Sequence, residues 1–207
     1  EHGGHPAAQV AERVRILRLA ARPVEPAHFA TVARAVLERR RLQIDAWNRG
    51  RDEVNRRTVS PQRLVHYRDN WYLDAWCHWR RALRSFALDT LQAAWLLPQP
   101  ARELAARTLD RHYAASYGIF SGRARATAVL RFTAERARWV RHEQWHPAQR
   151  GEMLPDGSWR LRLPYADPRE LVMDILRHGR HVTVESPASL RRLVAAEAQA
   201  VAARYAD

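Results

Sequence analysis

At Leu42 the hydrophobic pattern changes to a period of two, and from there to Leu88 short apolar or aromatic runs cut by turn residues predict strands. Leu42-Gln43-Ile44-Asp45-Ala46-Trp47 alternates, and Asn48-Arg49-Gly50 turns the chain. Residues 57–67 read as extended, with Pro61 marking an edge, a bulge or a strand end. Arg68-Asp69-Asn70 turns again, Trp71 to His78 is an aromatic strand, and Leu83 to Leu88 is another. Several short strands joined by tight turns predict a small β-barrel. Neighbours in a strand point to opposite faces, so Trp71 and Leu73 share the core face while Tyr72 shares the other with Asp74.

The flanks change period. Val10, Val14 and Leu17 predict a helix over 7–21, ended by Pro23 and Pro26. Phe29, Val32, Val36 and Leu37 form the buried face of a second helix, 27–40. Residues 89–122 read as a mixed connector punctuated by Pro98 and Pro100, with a helix from Ala101 to Tyr113. A second unit follows. Ala126 to Phe132 is a strand, and Thr133 caps a helix from Ala134 to about His142. Asp156-Gly157 makes a hairpin turn into a strand from Trp159 to Tyr165. Asp167-Pro168 opens a helix that Gly179 stops, His181 to Glu185 is a strand, and Ser186-Pro187 opens a last helix carrying Leu190, Leu193, Val194 and Val201. That order resembles a split βαβ unit. The expected class is α+β: N-terminal helices over 1–40, a barrel over 41–97, a helical connector over 98–123 and an α+β unit over 124–207.

Charge narrows the function. All 35 cations of the 207-residue chain are arginine, and the net charge is +13. Residues 39–84 hold twelve arginines against five acids, with Trp47, Tyr67, Trp71, Tyr72, Trp76 and Trp79 between them. Guanidinium forks and aromatic faces suit phosphates and stacked bases. Compositional bias alone would leave a solvated arginine-rich surface instead. A composition of 46% hydrophobic and 28% charged residues is globular. No apolar run is long enough to span a membrane, and the absence of a signal-peptide pattern leads us to expect a cytoplasmic protein. The lone Cys77 excludes an internal disulfide framework and reads as a packed small residue. Glycine loops of the phosphate-cradling spacings are absent, and no cofactor is expected.

His142-Glu143-Gln144-Trp145-His146 spells HExxH, which on a helix would set two imidazoles one turn apart with a general base between them, and Glu170 and Asp174 could imitate a third ligand and its partner. Pro147 pushes His146 out of helical geometry, so a helix end folding back into a hairpin is the preferred reading over a zinc hydrolase.

Arg57-Thr58-Val59-Ser60-Pro61, Leu64, Trp71-Tyr72-Leu73 and Arg84-Ser85-Phe86-Ala87-Leu88-Asp89 together resemble a WYL domain. Tyr117-Gly118-Ile119-Phe120, Trp145-His146-Pro147-Ala148-Gln149, Asp156-Gly157-Ser158 and Glu170-Leu171 resemble the C-terminal extension that follows it. The resemblance covers about residues 27–205. It implies an Sm-like, SH3-like barrel acting as the sensor of a bacterial-type transcriptional regulator, with nucleic acid, including single-stranded DNA, as effector. It also implies a homodimer and a helix-turn-helix domain ahead of the barrel. Too few residues precede the second helix for such a domain, and the chain begins at Glu1, so we expect the sensor half of a longer regulator rather than a stand-alone module. Ala46 stands where the family commonly has tyrosine, and Thr90 where it commonly has arginine. The expected ligand residues are Arg57, Ser60, His66, Tyr67, Tyr72 and Arg84. The alternatives are a structural dimerisation module, a sensor of a small anionic metabolite, and the zinc hydrolase above.

Overall fold

A computed structural model describes residues 20–114, 117–118 and 124–206, and the chain divides into two compact units, 1–103 and 104–207. The helix read over 7–21 lies almost wholly outside the described residues. No described helix is long and apolar enough to cross a membrane.

In the first unit, helix α1 (Pro26–Leu37) starts with proline in its first turn, where no amide hydrogen is needed. It buries Val32 and Ala35, while Leu37 stands 81% exposed. The expected face is thus corrected by one residue, Ala35 replacing Leu37. The helix ends before Arg40 because Arg39 takes a positive φ of 53°. Strands β1 (Arg40–Asn48), β2 (Glu53–Tyr67), β3 (Asn70–Cys77) and β4 (Ala82–Ala87) follow, then a 3-10 turn (Leu88–Thr90) and β5 (Leu91–Pro100). All are antiparallel, in the order β4-β3-β2-β1-β5. The outermost strands β4 and β5 are not paired with each other, so the five strands form an open sheet rather than a hydrogen-bonded closed barrel. Helix α1 packs on β1, β2 and β5, and its Val32 and Ala35 join Leu42, Ile44, Val59, Leu73, Ala75, Cys77, Leu88 and Leu91 in one core.

Two prolines explain where the expected strands differ. Strand β2 runs unbroken through Pro61, because its pairing with β1 ends at Val59 and only β3 lies beside it from there. The register slips between Pro61 and Arg63, the local irregularity a proline favours. Strand β5 occupies residues read from the sequence as connector. Its Pro98 and Pro100 are tolerated because β5 is an edge strand. The helix expected from Ala101 begins only at Ala106 (α2, Ala106–Ala114).

The second unit adds β6 (Ala126–Phe132), α3 (Ala134–Val140), β7 (Arg150–Met153), β8 (Trp159–Tyr165), α4 (Pro168–Arg177), β9 (Val182–Ser186) and α5 (Ala188–Ala203). The sheet order β7-β8-β6-β9, all antiparallel, is that of a split βαβ unit. Thr133 accepts from the Arg136 amide and Asp167 from the Arg169 amide, so both expected caps are present. At the β7–β8 hairpin, Gly157 has φ 78°, and the Ser158 hydroxyl and amide together with Arg131 hold the Asp156 carboxyl down at about 2. Alternation puts Ala128, Leu130, Phe132, Leu161, Leu163 and Tyr165 on one face, under Leu171, Ile175 and Leu190. The other face carries Arg160, paired with Glu185 and Glu152, and Arg162, paired with Glu152.

Candidate functional site

Arg57 on β2 lies opposite Ile44 of β1, two residues before Val59, and Arg84 on β4 lies opposite Ala75 of β3. Ile44, Val59 and Ala75 are fully buried, so alternation places both arginines on the core-facing side of the sheet. Arg57 is half-buried, and its guanidinium carbon sits 3.7 Å from the centroid of Trp79, in the β3–β4 turn. Arg80 lies over the same ring at 4.6 Å. The Arg57 Nη1 atom is buried without a hydrogen-bond partner. Burial pulls the Arg57 guanidinium below its ordinary pKa. The Cys77 sulfur opposes that shift, while Arg80, Arg84 and Arg51 reinforce it. Among the described residues none of these four arginines has an ion pair. Four arginines without an ion pair, two of them against the Trp79 ring and one with a desolvated unused donor, are an arrangement that can attract an anion.

Ser60, expected beside them, is elsewhere. It lies opposite Trp76, on the other face of the sheet, and is fully buried. Its Oγ is 2.9 Å from His78 Nε2 and accepts from the Arg102 amide at 2.8 Å. Burial, then Arg41 and Arg102, lowers the His78 pKa. Ser60 thus joins the strand to the segment after β5, with its hydrogen-bonding capacity used inside the protein.

His66, Tyr67 and Tyr72 gather at the far end of the β2–β3 hairpin. His66 is opposite Trp71, their rings 4.9 Å apart, and the Tyr67 and Tyr72 rings meet at 6.5 Å. The Tyr72 hydroxyl accepts from Arg22 Nη2 at 3.0 Å. Some eight strand steps separate this group from Arg57, about 25 Å along the ladder. The six expected residues therefore fall into three places, and only Arg57 and Arg84 share one. Trp79, Arg80 and Arg51 complete that place. The adjacent Trp79-Arg80 pair in the turn was the signal for them in the sequence.

The triplet divides as alternation requires. Leu73 is core, Trp71 packs edge-on against Phe29 with centroids 5.2 Å apart, and Tyr72 is on the face of Asp74. Asp74 is fully buried and accepts from Ser85 at 2.7 Å and Arg63 at 3.1 Å. Ala46 packs against the core, and the Thr90 hydroxyl donates to the Ala87 carbonyl at 2.7 Å.

The HExxH residues do not lie on a helix, since α3 ends at Val140. The Glu143 carboxylate accepts from the Trp145 indole at 2.8 Å, and His146 Nδ1 accepts from the Ala148 amide at 3.0 Å. Asp174 accepts from Tyr117 at 2.5 Å, and Glu170 is buried beside Gly118. Ile119 and Phe120 lie outside the described residues. Among the described residues no three His, Cys, Asp or Glu side chains could hold a metal ion. Cys77 is free and buried in the core.

The pattern described as the WYL domain matches residues 27–95, and that of the WCX domain matches residues 124–202. Protein PafC of Mycobacterium leprae is 28% identical over 170 residues, which are 82% of this chain and 51% of that protein. Protein PafC of Mycobacterium tuberculosis is 28% identical over 183 residues, 88% of this chain and 56% of its own. This chain therefore spans about half the length of the curated relatives it matches. Among solved structures, proteasome accessory factor B/C (PafBC) of Arthrobacter aurescens is 25% identical, with 92% of this chain and 29% of that one covered and a TM-score of 0.39. A CRISPR Cas-related protein is 12% identical, covers 87% of this chain and 53% of its own, and has a TM-score of 0.54, a likeness of fold alone.

Proposed function

This chain belongs to the WYL-domain family, carrying a WYL domain followed by a WCX domain, and from that premise we propose that it is the ligand-sensing and dimerising part of a transcriptional regulator. The effector is an anion, with single-stranded nucleic acid as the leading candidate, bound at Arg57, Arg84, Arg80 and Trp79. The observation that supports this most is the half-buried Arg57, stacked on Trp79 with an unused guanidinium nitrogen and no acid beside it. A polyphosphate strand would fill that donor and relieve the repulsion among the four arginines, while Trp79 would stack a base. The five-stranded sheet is on this reading an Sm-like barrel left open between β4 and β5. Sensing requires that the effector bind one arrangement of the dimer better than another, and so bias a DNA-binding domain of the full-length regulator. No catalytic step is assigned to the chain.

A small anionic metabolite is the second reading, favoured by Arg57 lying on the core-facing side of the sheet rather than on an open groove. Displacement of a labelled oligothymidylate by mononucleotides and by longer oligomers tests the two. Oligomers should compete far better per molecule. Equal competition by a mononucleotide would replace the strand with a small phosphorylated ligand, and no binding of either would leave a structural dimerisation module.

A further inference from the structure

A second group of basic side chains without ion pairs lies on the face of the five-stranded sheet turned away from its core. His78 opens the β3–β4 turn, and Trp79 and Arg80 follow it. Cys77 is opposite Val59, both buried, whereas Trp76 is opposite Ser60 on the outward face. The His78 amide continues the ladder by donating to the Thr58 carbonyl at 3.1 Å. Alternation puts the His78 ring on the side of Trp76 and Ser60, and Arg41 on the side opposite buried Leu42. The turn thus sends His78 to one face and Trp79, against Arg57, to the other.

Buried side chains hold this group in place. Ser60, fully buried, accepts from the Arg102 amide at 2.8 Å and bonds His78 Nε2 at 2.9 Å. Gln62, also buried, donates to the Arg102 carbonyl at 2.7 Å. The Arg102 backbone is thereby pinned on both sides, and its guanidinium carbon rests 4.0 Å from the Trp76 centroid. Arg41 Nε donates to the Pro100 carbonyl at 3.2 Å, two residues before Arg102. The Ser60 oxygen already accepts from the Arg102 amide, and among the described residues its own proton has one acceptor, His78 Nε2. Neutral His78 therefore carries its proton on Nδ1, and no described residue bonds that nitrogen.

Three donors remain: the Arg41 and Arg102 guanidiniums and the His78 Nδ1–H. Among the described residues neither arginine has an ion pair. Glu103, next to Arg102, turns to Arg39 at 3.4 Å instead, and Glu38 is taken by Arg34 and Arg40. Burial lowers the His78 pKa first, then Arg41 and Arg102, with no carboxylate opposing them. Two guanidiniums beside an imidazole, with no acid between them, repel one another. A multiply charged oxyanion removes that repulsion and fills all three donors. We propose that Arg41, His78 and Arg102 form a phosphate-binding site, separate from the Arg57 cluster and on the opposite face of the sheet. The ligand is a phosphate group, carried by a small molecule or by a nucleic-acid strand. The site does not depend on an effector at Arg57.

Titration of the whole chain with pyrophosphate, inorganic phosphate and oligothymidylate at fixed ionic strength tests it, read at the assigned imidazole signals of His78 in NMR spectra. Pyrophosphate should move those signals saturably and raise the His78 pKa, since a bound anion favours the imidazolium. Arg41→Gln with Arg102→Gln should weaken that response at least about ten-fold, and Arg57→Ala with Arg84→Ala should leave it unchanged. Thermal unfolding shows that each variant folds, and the two single glutamine variants, each weakened several-fold, serve if the pair does not. Oligothymidylate that moves the His78 signals in the Arg57→Ala, Arg84→Ala chain would make a strand's phosphodiester the ligand. A response to pyrophosphate or phosphate alone would make it a small phosphorylated molecule. His78 signals that none of the three probes moves would overturn the site, as would wild-type affinity in the glutamine variants. A response lost with Arg57 and Arg84 would overturn the separate site and return its phosphate to the first cluster.

Discussion

Arg22 reaches Tyr72, its Nη2 donating to the phenol oxygen at 3.0 Å, while its Nε lies 2.8 Å from the Asp89 carboxylate. Its amide also donates to Asn70 at 2.9 Å. One residue ahead of α1 thus fastens the incoming chain to the aromatic hairpin and to the turn after β4. Asp89 is buried to 5% side-chain exposure and is also paired with Arg49. The Tyr72 hydroxyl, expected to face a ligand, is engaged within the protein.

Arg22→Ala should therefore cost about 1 kcal/mol of stability, the worth of a part-exposed hydrogen-bonded pair. Asp89→Ala should cost more, about 1–2 kcal/mol, because it removes the buried acceptor that two partly hydrated arginines share. Chemical denaturation of the two variants checks the order, and an Asp89 variant as stable as wild type would contradict it.

Ser60→Ala should lower stability by about 1–2 kcal/mol by leaving the Arg102 amide without its acceptor, and should leave anion affinity at the Arg57 cluster unchanged. Denaturation and a ligand titration on the same variant separate the two effects. Lost affinity at wild-type stability would return Ser60 to the binding site.

Three imidazoles with lowered pKa contribute to the pH dependence, His78 of the first unit and two in the second unit. Burial lowers the pKa of His146. Burial, then Arg177 and Arg136, lowers that of His178, against Glu143 and Asp174. His178 stacks on Trp145 at 5.5 Å, and the Nε2 atoms of both histidines are buried without partners. A group whose folded pKa is depressed binds its proton more readily when unfolded, so stability is complete above the ordinary histidine value of about 6.5 and declines below it. The unfolding midpoint should fall between about pH 7.5 and pH 5, and His178→Phe, which keeps a ring against Trp145, should flatten that decline. An unchanged slope in the variant would contradict the assignment.

Gly151 separates close packing from glycine content. A Cβ there would lie 2.0 Å from Trp159 Cζ2, whereas one at Gly50 meets nothing nearer than 3.5 Å. Gly151→Ala should cost about 1–3 kcal/mol and Gly50→Ala no more than about 0.5 kcal/mol, measured by the same unfolding curves. Equal effects would show that the indole moves aside freely.

Periodicity made most of this fold readable. The alternation at Leu42, Ile44 and Leu73, and at Leu161 and Leu163, matches the buried faces, because a half-buried strand must write its core on every second residue. Strand β5 was hidden because an edge strand tolerates Pro98 and Pro100 and carries little alternation. Of the candidate site, residue type identified Arg57 and Arg84, which share a face. Ser60 and the hairpin aromatics were grouped with them because closeness in sequence does not show which side of a sheet a residue faces, nor how far along it lies. Trp79 could be named as an aromatic among arginines, but its stacking on Arg57 depends on the β3–β4 turn folding back over β2.

The proposed anionic effector binds at the Arg57 cluster. Fluorescence anisotropy of a short labelled single-stranded DNA, titrated with this chain at two salt concentrations, tests it most directly when repeated with Arg57→Ala plus Arg84→Ala. Binding should weaken as salt rises, through counterion release, and should fall at least about ten-fold in the double variant at low salt, where each lost phosphate contact is least screened. Full wild-type affinity in the double variant would contradict it and move the site to another part of the arginine-rich surface.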